Sequence, residues 1–157
     1  MPPWFANIGK RLTKSPKLYF CDVGLAAWLT GIRQESHLEA HPLRGSFFEN
    51  LVVLEILKAN MNGGDTPNLR FFRDSSGLEV DLLLEQGNAL SLVEITSLQT
   101  ISGDSFSSMK KTGALLGERV REKFLVYGGM EQQQRSDAEA MSYLRAGTIV
   151  TRLKEPF

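Results

Sequence analysis

Two apolar stretches, Glu79-Val80-Asp81-Leu82-Leu83-Leu84-Glu85 and Leu90-Ser91-Leu92-Val93-Glu94-Ile95-Thr96, are separated only by Gln86-Gly87-Asn88-Ala89. Runs of this length around a Gly-Asn turn predict a β-hairpin. With Gly87-Asn88 at its centre, the register sets Asp81 directly opposite Glu94. Period-2 alternation places Glu79, Asp81 and Leu83 on one face with Leu92, Glu94 and Thr96. Carboxylates so opposed have Cβ atoms about 4.5–5.5 Å apart and repel. Such a pair shares a proton, a basic partner or a cation. A hard divalent ion such as Mg²⁺ takes carboxylate oxygens, commonly one or two, with waters completing its shell. A slipped register or a frayed, solvated hairpin would instead separate the acids.

The hairpin needs cover, and the flanking sequence supplies it. A helix is predicted from Leu43 to Asn60, stopped by Asn62-Gly63-Gly64, followed by a strand Leu69–Arg73 and a turn Asp74–Gly77. After the hairpin, Phe106, Met109, Gly113 and Leu116 recur at helical spacing within 105–116, and Lys123–Tyr127 is an apolar strand ended by Gly128-Gly129. In the tail, Ser136 and Glu139 carry a capping-box signal, which predicts a helix to Arg145 and then a strand Thr148–Thr151. At the other end, Trp4-Phe5-Ala6 and Leu18-Tyr19-Phe20-Cys21 read as two short strands around a basic loop. Asp22 caps a helix Val23–Thr30, and the polar 31–44 stretch with Pro42 reads as a loop. Helix, three strands, helix, strand is the order of an α/β sandwich with a mixed sheet.

The long helix carries its own anomaly. Glu49 has Val52, Val53 and Ile56 at i+3, i+4 and i+7, and a carboxylate among apolar neighbours needs a partner or exposure. Arg44 and Arg73 are the expected partners, whereas Glu55 has an ordinary surface mate in Lys58.

Composition narrows the classes. The chain has 157 residues, enough for one domain, with 18 Lys+Arg against 18 Asp+Glu and 42% hydrophobic residues. The single Cys21 excludes an intrachain disulfide or a multi-cysteine zinc site, and is expected in the core. No apolar run approaches the roughly 18 residues of a membrane span, and the start has no signal-peptide pattern, so a cytoplasmic protein is expected. Zero net charge argues against a polybasic coat, yet residues 1–21 hold Lys10, Arg11, Lys14 and Lys17 and no acid. That segment reads either as a DNA-backbone contact or as a solvated hairpin, and phosphate contacts would show as a salt slope of about −0.9 each. His37 and His41 are four apart, but Pro42 and the want of a third ligand make them loop residues rather than a metal pair. Trp4 and Trp28 are expected to pack.

An acid on the first helix, then Glu79-Val80-Asp81, then Val93-Glu94-Ile95-Thr96, resembles the PD-(D/E)XK nuclease arrangement. More specifically, Lys14-Ser15-Pro16-Lys17-Leu18-Tyr19-Phe20-Cys21-Asp22-Val23-Gly24-Leu25, His41-Pro42-Leu43-Arg44-Gly45 through Phe48-Glu49-Asn50, and Phe72-Arg73-Asp74 are similar to the uncharacterised C-terminal domain of prokaryotic AAA-type ATPases. The resemblance implies a restriction-endonuclease-like core over 32–157, with residues 1–31 the remnant of a winged-helix hairpin and its following helix. A chain opening on half a wing reads as cut from something longer, with an edge through which it would self-associate. The resemblance further implies a nuclease-like acidic site of Glu49, Asp81 and Glu94 that binds Mg²⁺ or Mn²⁺ and DNA, with an ATPase module as partner. No GxxxxGK[ST] phosphate loop occurs, so no ATP site is expected in this chain. Thr96 stands where the family pattern Glu-x-Lys has its lysine. Phosphodiester cleavage needs positive charge against the developing negative charge, which threonine cannot supply. By order in the chain, Lys110 and Lys111 are the candidates to replace it; the plainer reading makes them surface lysines. The alternative function is a non-catalytic regulatory or docking domain of such an ATPase.

Overall fold

The structure is a computed structural model that describes residues 1–4, 15–66 and 68–153. After β1 (Leu69–Arg73), β2 (Glu79–Gln86) and β3 (Ala89–Thr96) form the central hairpin in the expected register, from Leu82 opposite Val93 to Gln86 opposite Ala89. Gly87 takes φ +58°, as the first central residue of a type II′ turn requires, and this fixes the register of everything beyond it. β1 joins β2 antiparallel, β4 (Val120–Tyr127) joins β3 in parallel, and β6 (Glu139–Ser142) joins β4 in parallel. The two-residue β5 (Gln133–Gln134) pairs antiparallel with β6, so the mixed sheet runs β1-β2-β3-β4-β6-β5.

Helices cover both faces. On one side lie α3 (Arg44–Asn62) and α5 (Thr148–Leu153), where Val52 and Ile56 pack with Leu82, Leu84, Val93, Val126 and Ile149. On the other, α4 (Ser107–Leu116) sets Met109 and Leu116 against Val80, Leu83, Leu90, Leu92 and Leu125. α4 makes the β3-to-β4 crossover that a parallel pair requires. α1 (Val23–Leu29) is capped by Asp22, whose side chain accepts from the Leu25 amide.

One irregularity decides where the acids go. Arg70 pairs with Leu83 but Phe72 with Val80, so Phe71 alone faces both Asp81 and Leu82. This is a β-bulge, which re-aims side chains and resets the alternation along the strand. Leu83 therefore packs on the α4 side with Leu92, while Leu82 packs on the α3 side with Val93, instead of Asp81 and Leu83 sharing a face.

Several local expectations are corrected. The tail is inverted: Glu139–Ser142 is a strand and Thr148–Leu153 a helix, because Ala140 and Met141 are needed beside β4 in the buried sheet. The 31–44 stretch contains a short helix, α2 (Glu35–Glu39). Residues 18–21 form no strand; the segment lies against α3 and is held by side chains. Cys21 is exposed rather than buried. Trp4 packs as expected, 3% exposed, but Trp28 is 57% exposed with the Arg33 guanidinium over its ring.

Candidate functional site

Beyond the Leu82–Val93 pair the hairpin ladder gives way to a side chain. Asp81 Oδ2 accepts from the Ile95 amide at 2.9 Å, which wedges its carboxylate between the two strands. Glu94 lies one residue before that amide and Glu79 two residues before Asp81, while α3 delivers Glu49 from above. The structure thus brings together Glu49, Asp81 and Glu94 from three elements, and adds Glu79.

The cation among them is Lys17. Its Nζ lies 2.9 Å from Glu49 Oε1, 2.6 Å from Glu79 Oε1 and 3.6 Å from Asp81 Oδ1. The ammonium also stands 5.4 Å from the Phe71 ring centroid, within cation–π range. Glu49 receives a second hydrogen bond, 2.6 Å, from the Tyr19 hydroxyl. Neither expected arginine serves Glu49. Arg73 instead grips Glu79 with two 2.7 Å bonds, and Arg44 reaches the Ser97 carbonyl.

The segment bearing Lys17 is fastened independently of that charge. Asn50, buried in α3, accepts from the Phe20 amide at 2.8 Å and donates to the Phe20 carbonyl at 2.9 Å. One side chain so treats Phe20 as a neighbouring strand would. On the other flank, the Met1 amine donates to the Lys17 carbonyl and the Lys17 amide to the Met1 carbonyl.

Burial and proximity shape the protonation of this cluster. Burial, followed by the nearby negative charge of Asp81, lifts Glu94 well above the glutamate range, so it keeps its proton and shares it with Asp81. Asp81 is also raised, by burial and by Glu49, with Lys17 and the Ile95 amide pulling the other way. Burial works against the Lys17 charge, but its bonds to Glu79 and Glu49 outweigh that and carry its pKa above the ordinary lysine value. Tyr19 is raised by burial and by its bond to Glu49, so it stays a neutral donor. Of the ways in which opposed carboxylates are relieved, two are realised together: a shared proton and a basic partner.

The remaining expectations divide. Thr96 ends β3 beside Tyr127, and its hydroxyl accepts from the Leu98 amide, so it brings no charge to the acids. Lys110 pairs with Asp137 at 2.9 Å and is spent there. Lys10, Arg11 and Lys14 lie outside the described residues, while Lys17 is turned inward onto the acids instead of standing on a basic surface. His37 and His41 accept local backbone amides, as loop and helix-end residues do. Tyr19 is missed by the sequence reading, and Lys17 is read there as a DNA contact or solvated residue rather than as the partner of the acids. Their signal was the alternation of Lys17, Tyr19 and Cys21 beside a helix whose Glu49 lacked a mate, and nothing local distinguishes it from an edge strand.

A divalent ion does not fit this arrangement. Its position among the carboxylate oxygens is taken by an ammonium, and Asp81 Oδ2 is committed to an amide. Among the described residues, no group of three or more His, Cys, Asp or Glu side chains is arranged to hold a metal ion. No helix among them is long and apolar enough to cross a membrane. Glu49, Glu79 and Asp81 line a cleft of about 540 Å³ together with the apolar Leu29, Leu43 and Phe47.

Comparison with known proteins matches two segments of the chain. Residues 1–36, which carry Lys17 and Tyr19, match a domain of unknown function (DUF8612), and residues 44–146, which carry the acids, match another (DUF4143). Over 138 residues the chain is 36% identical to an uncharacterized protein of Mycobacterium tuberculosis (strain ATCC 25618 / H37Rv) and equally to one of Mycobacterium bovis (strain ATCC BAA-935 / AF2122/97). Those alignments cover 87% of this chain and 29% of each relative, so the chain spans under a third of the length of the curated relatives it matches. With well over half of its residues inside the 44–146 match, the chain belongs to the DUF4143 family.

Proposed function

We propose that this chain is the nuclease-fold module of an ATPase-associated protein and that it serves as a non-catalytic regulatory or docking domain. The observation that carries this reading is the Lys17 ammonium seated among Glu49, Glu79 and Asp81, where a phosphodiesterase would need an open cation site. Thr96 supports it, since the strand end offers no charge for a phosphate. The relatives' much greater length supports a module working beside other domains.

A second reading, divalent-metal and DNA binding with cleavage, draws on one observation: Glu49, Asp81 and Glu94 do converge at the end of the hairpin. Plasmid nicking in Mg²⁺ or Mn²⁺ by the wild type, Glu94→Gln and Thr96→Lys separates the two. The docking reading expects no nicking by the wild type. Metal-dependent nicking by the wild type that disappears in Glu94→Gln would replace it with the second reading.

A further inference from the structure

We propose that the Lys17 ammonium is the resident cation of the carboxylate cluster, holding the place of a divalent ion, so that docking of residues 15–20 and metal occupancy exclude each other. The inference deepens the reading of a nuclease fold without a working centre and rests on it.

Its basis is positional. A Mg²⁺ or Mn²⁺ ion sits roughly 2.0–2.2 Å from its carboxylate oxygens. Glu49 Oε1 and Glu79 Oε1 both converge on Lys17 Nζ, at 2.9 and 2.6 Å, with Asp81 Oδ1 at 3.6 Å. An ion touching those oxygens would overlap the ammonium or lie against it as a like charge. As it stands, two cations, Lys17 and Arg73, face the three carboxylates of Glu49, Glu79 and Asp81. Removing Lys17 alone leaves three carboxylates with one guanidinium, an arrangement that attracts a small multivalent cation.

A second observation makes the exchange a property of docking. The ammonium and the carboxylates come from separately matched segments, residues 1–36 and 44–146. Lys17 is held at the cage by Asn50, which pins the Phe20 backbone, by the Tyr19 bond to Glu49 and by the paired backbone bonds between Met1 and Lys17. Whatever lifts residues 15–20 off α3 withdraws the counter-ion and uncovers the acids in the same movement. The domain then reports on its own N-terminal segment through its affinity for divalent ions.

The test is a titration of the full chain with MnCl₂, without nucleic acid, so that it stands or falls separately from the nicking assay. Calorimetry should show Lys17→Met binding Mn²⁺ about tenfold or more tightly than the wild type, the size of a typical coupling between sites. The Asp81→Asn change added to it should abolish the gain, and Lys17→Arg should exclude the ion as the wild type does. Equal Mn²⁺ affinity in the wild type and Lys17→Met overturns the proposal. Should Lys17→Met fail to fold, the wild type alone decides through paramagnetic broadening of its amide resonances. Unbroadened Ile95 and Asn50 signals at equimolar Mn²⁺ are expected, and selective loss of both overturns the exclusion.

Discussion

Glu94 is the acid whose replacement should strengthen the protein. Its carboxyl is buried beside Asp81 and keeps a proton past neutrality, whereas an unfolded glutamate titrates near 4.5. A carboxyl raised in this way contributes stability that is complete below the unfolded value and is lost as pH climbs toward the folded one. Each pH unit in that window costs about 1.4 kcal/mol. Between 4.5 and 7 this sets a ceiling of about 3 kcal/mol, and because the proton is shared with Asp81, about 1–2 kcal/mol is expected to be recovered. Glu94→Gln cannot ionise, yet its amide still donates to Asp81. Urea denaturation at pH 5, 7 and 8.5 should show wild-type stability falling as pH rises and the variant falling less, with the two closest at pH 5. Parallel profiles, or a variant less stable than the wild type at pH 8.5, would refute the account of a neutral, proton-sharing Glu94.

Three further outcomes follow from the same geometry. Asn50→Ala removes both bonds to Phe20 and should cost about 1–3 kcal/mol in urea denaturation, with faster proteolysis within residues 15–20. Gly128→Ala brings a Cβ to 2.6 Å from the Ser97 carbonyl oxygen, backbone against backbone, and should cost about 1–3 kcal/mol in the same assay. Lys17→Ala leaves Glu49 and Asp81 without their ammonium and should cost about 3 kcal/mol, most of it returned by a second change, Glu49→Gln, because the penalty lies in the unpaired charge; additive losses would contradict that origin.

What the sequence discloses and what it hides have physical reasons. The Gly87-Asn88 turn is a local signal that propagates, so the register from Leu82 opposite Val93 to Gln86 opposite Ala89 is legible from it. Asp22 at the head of α1 is legible for the same reason, its bond to Leu25 being three residues long. The bulge at Asp81 and Leu82 is not, since it depends on how β1 meets β2, and it overturns the expected shared face of Asp81 and Leu83. The tail misleads because Ser136 and Glu139 imitate a cap while Ala140 and Met141 are drawn into a parallel strand by β4. Lys17 is hidden most deeply. It lies 32 residues from Glu49, and its lack of a nearby acid makes it look like a solvent-facing nucleic-acid contact until the fold supplies three acids at once.

The Asn50 contact has a consequence for variation. Because it grips the main chain of Phe20, it is indifferent to which side chain that residue carries, and Leu18 and Phe20 stand 91% and 57% exposed. Those two positions can drift, or be redesigned to meet a different surface, while the clasp beneath them stays shut.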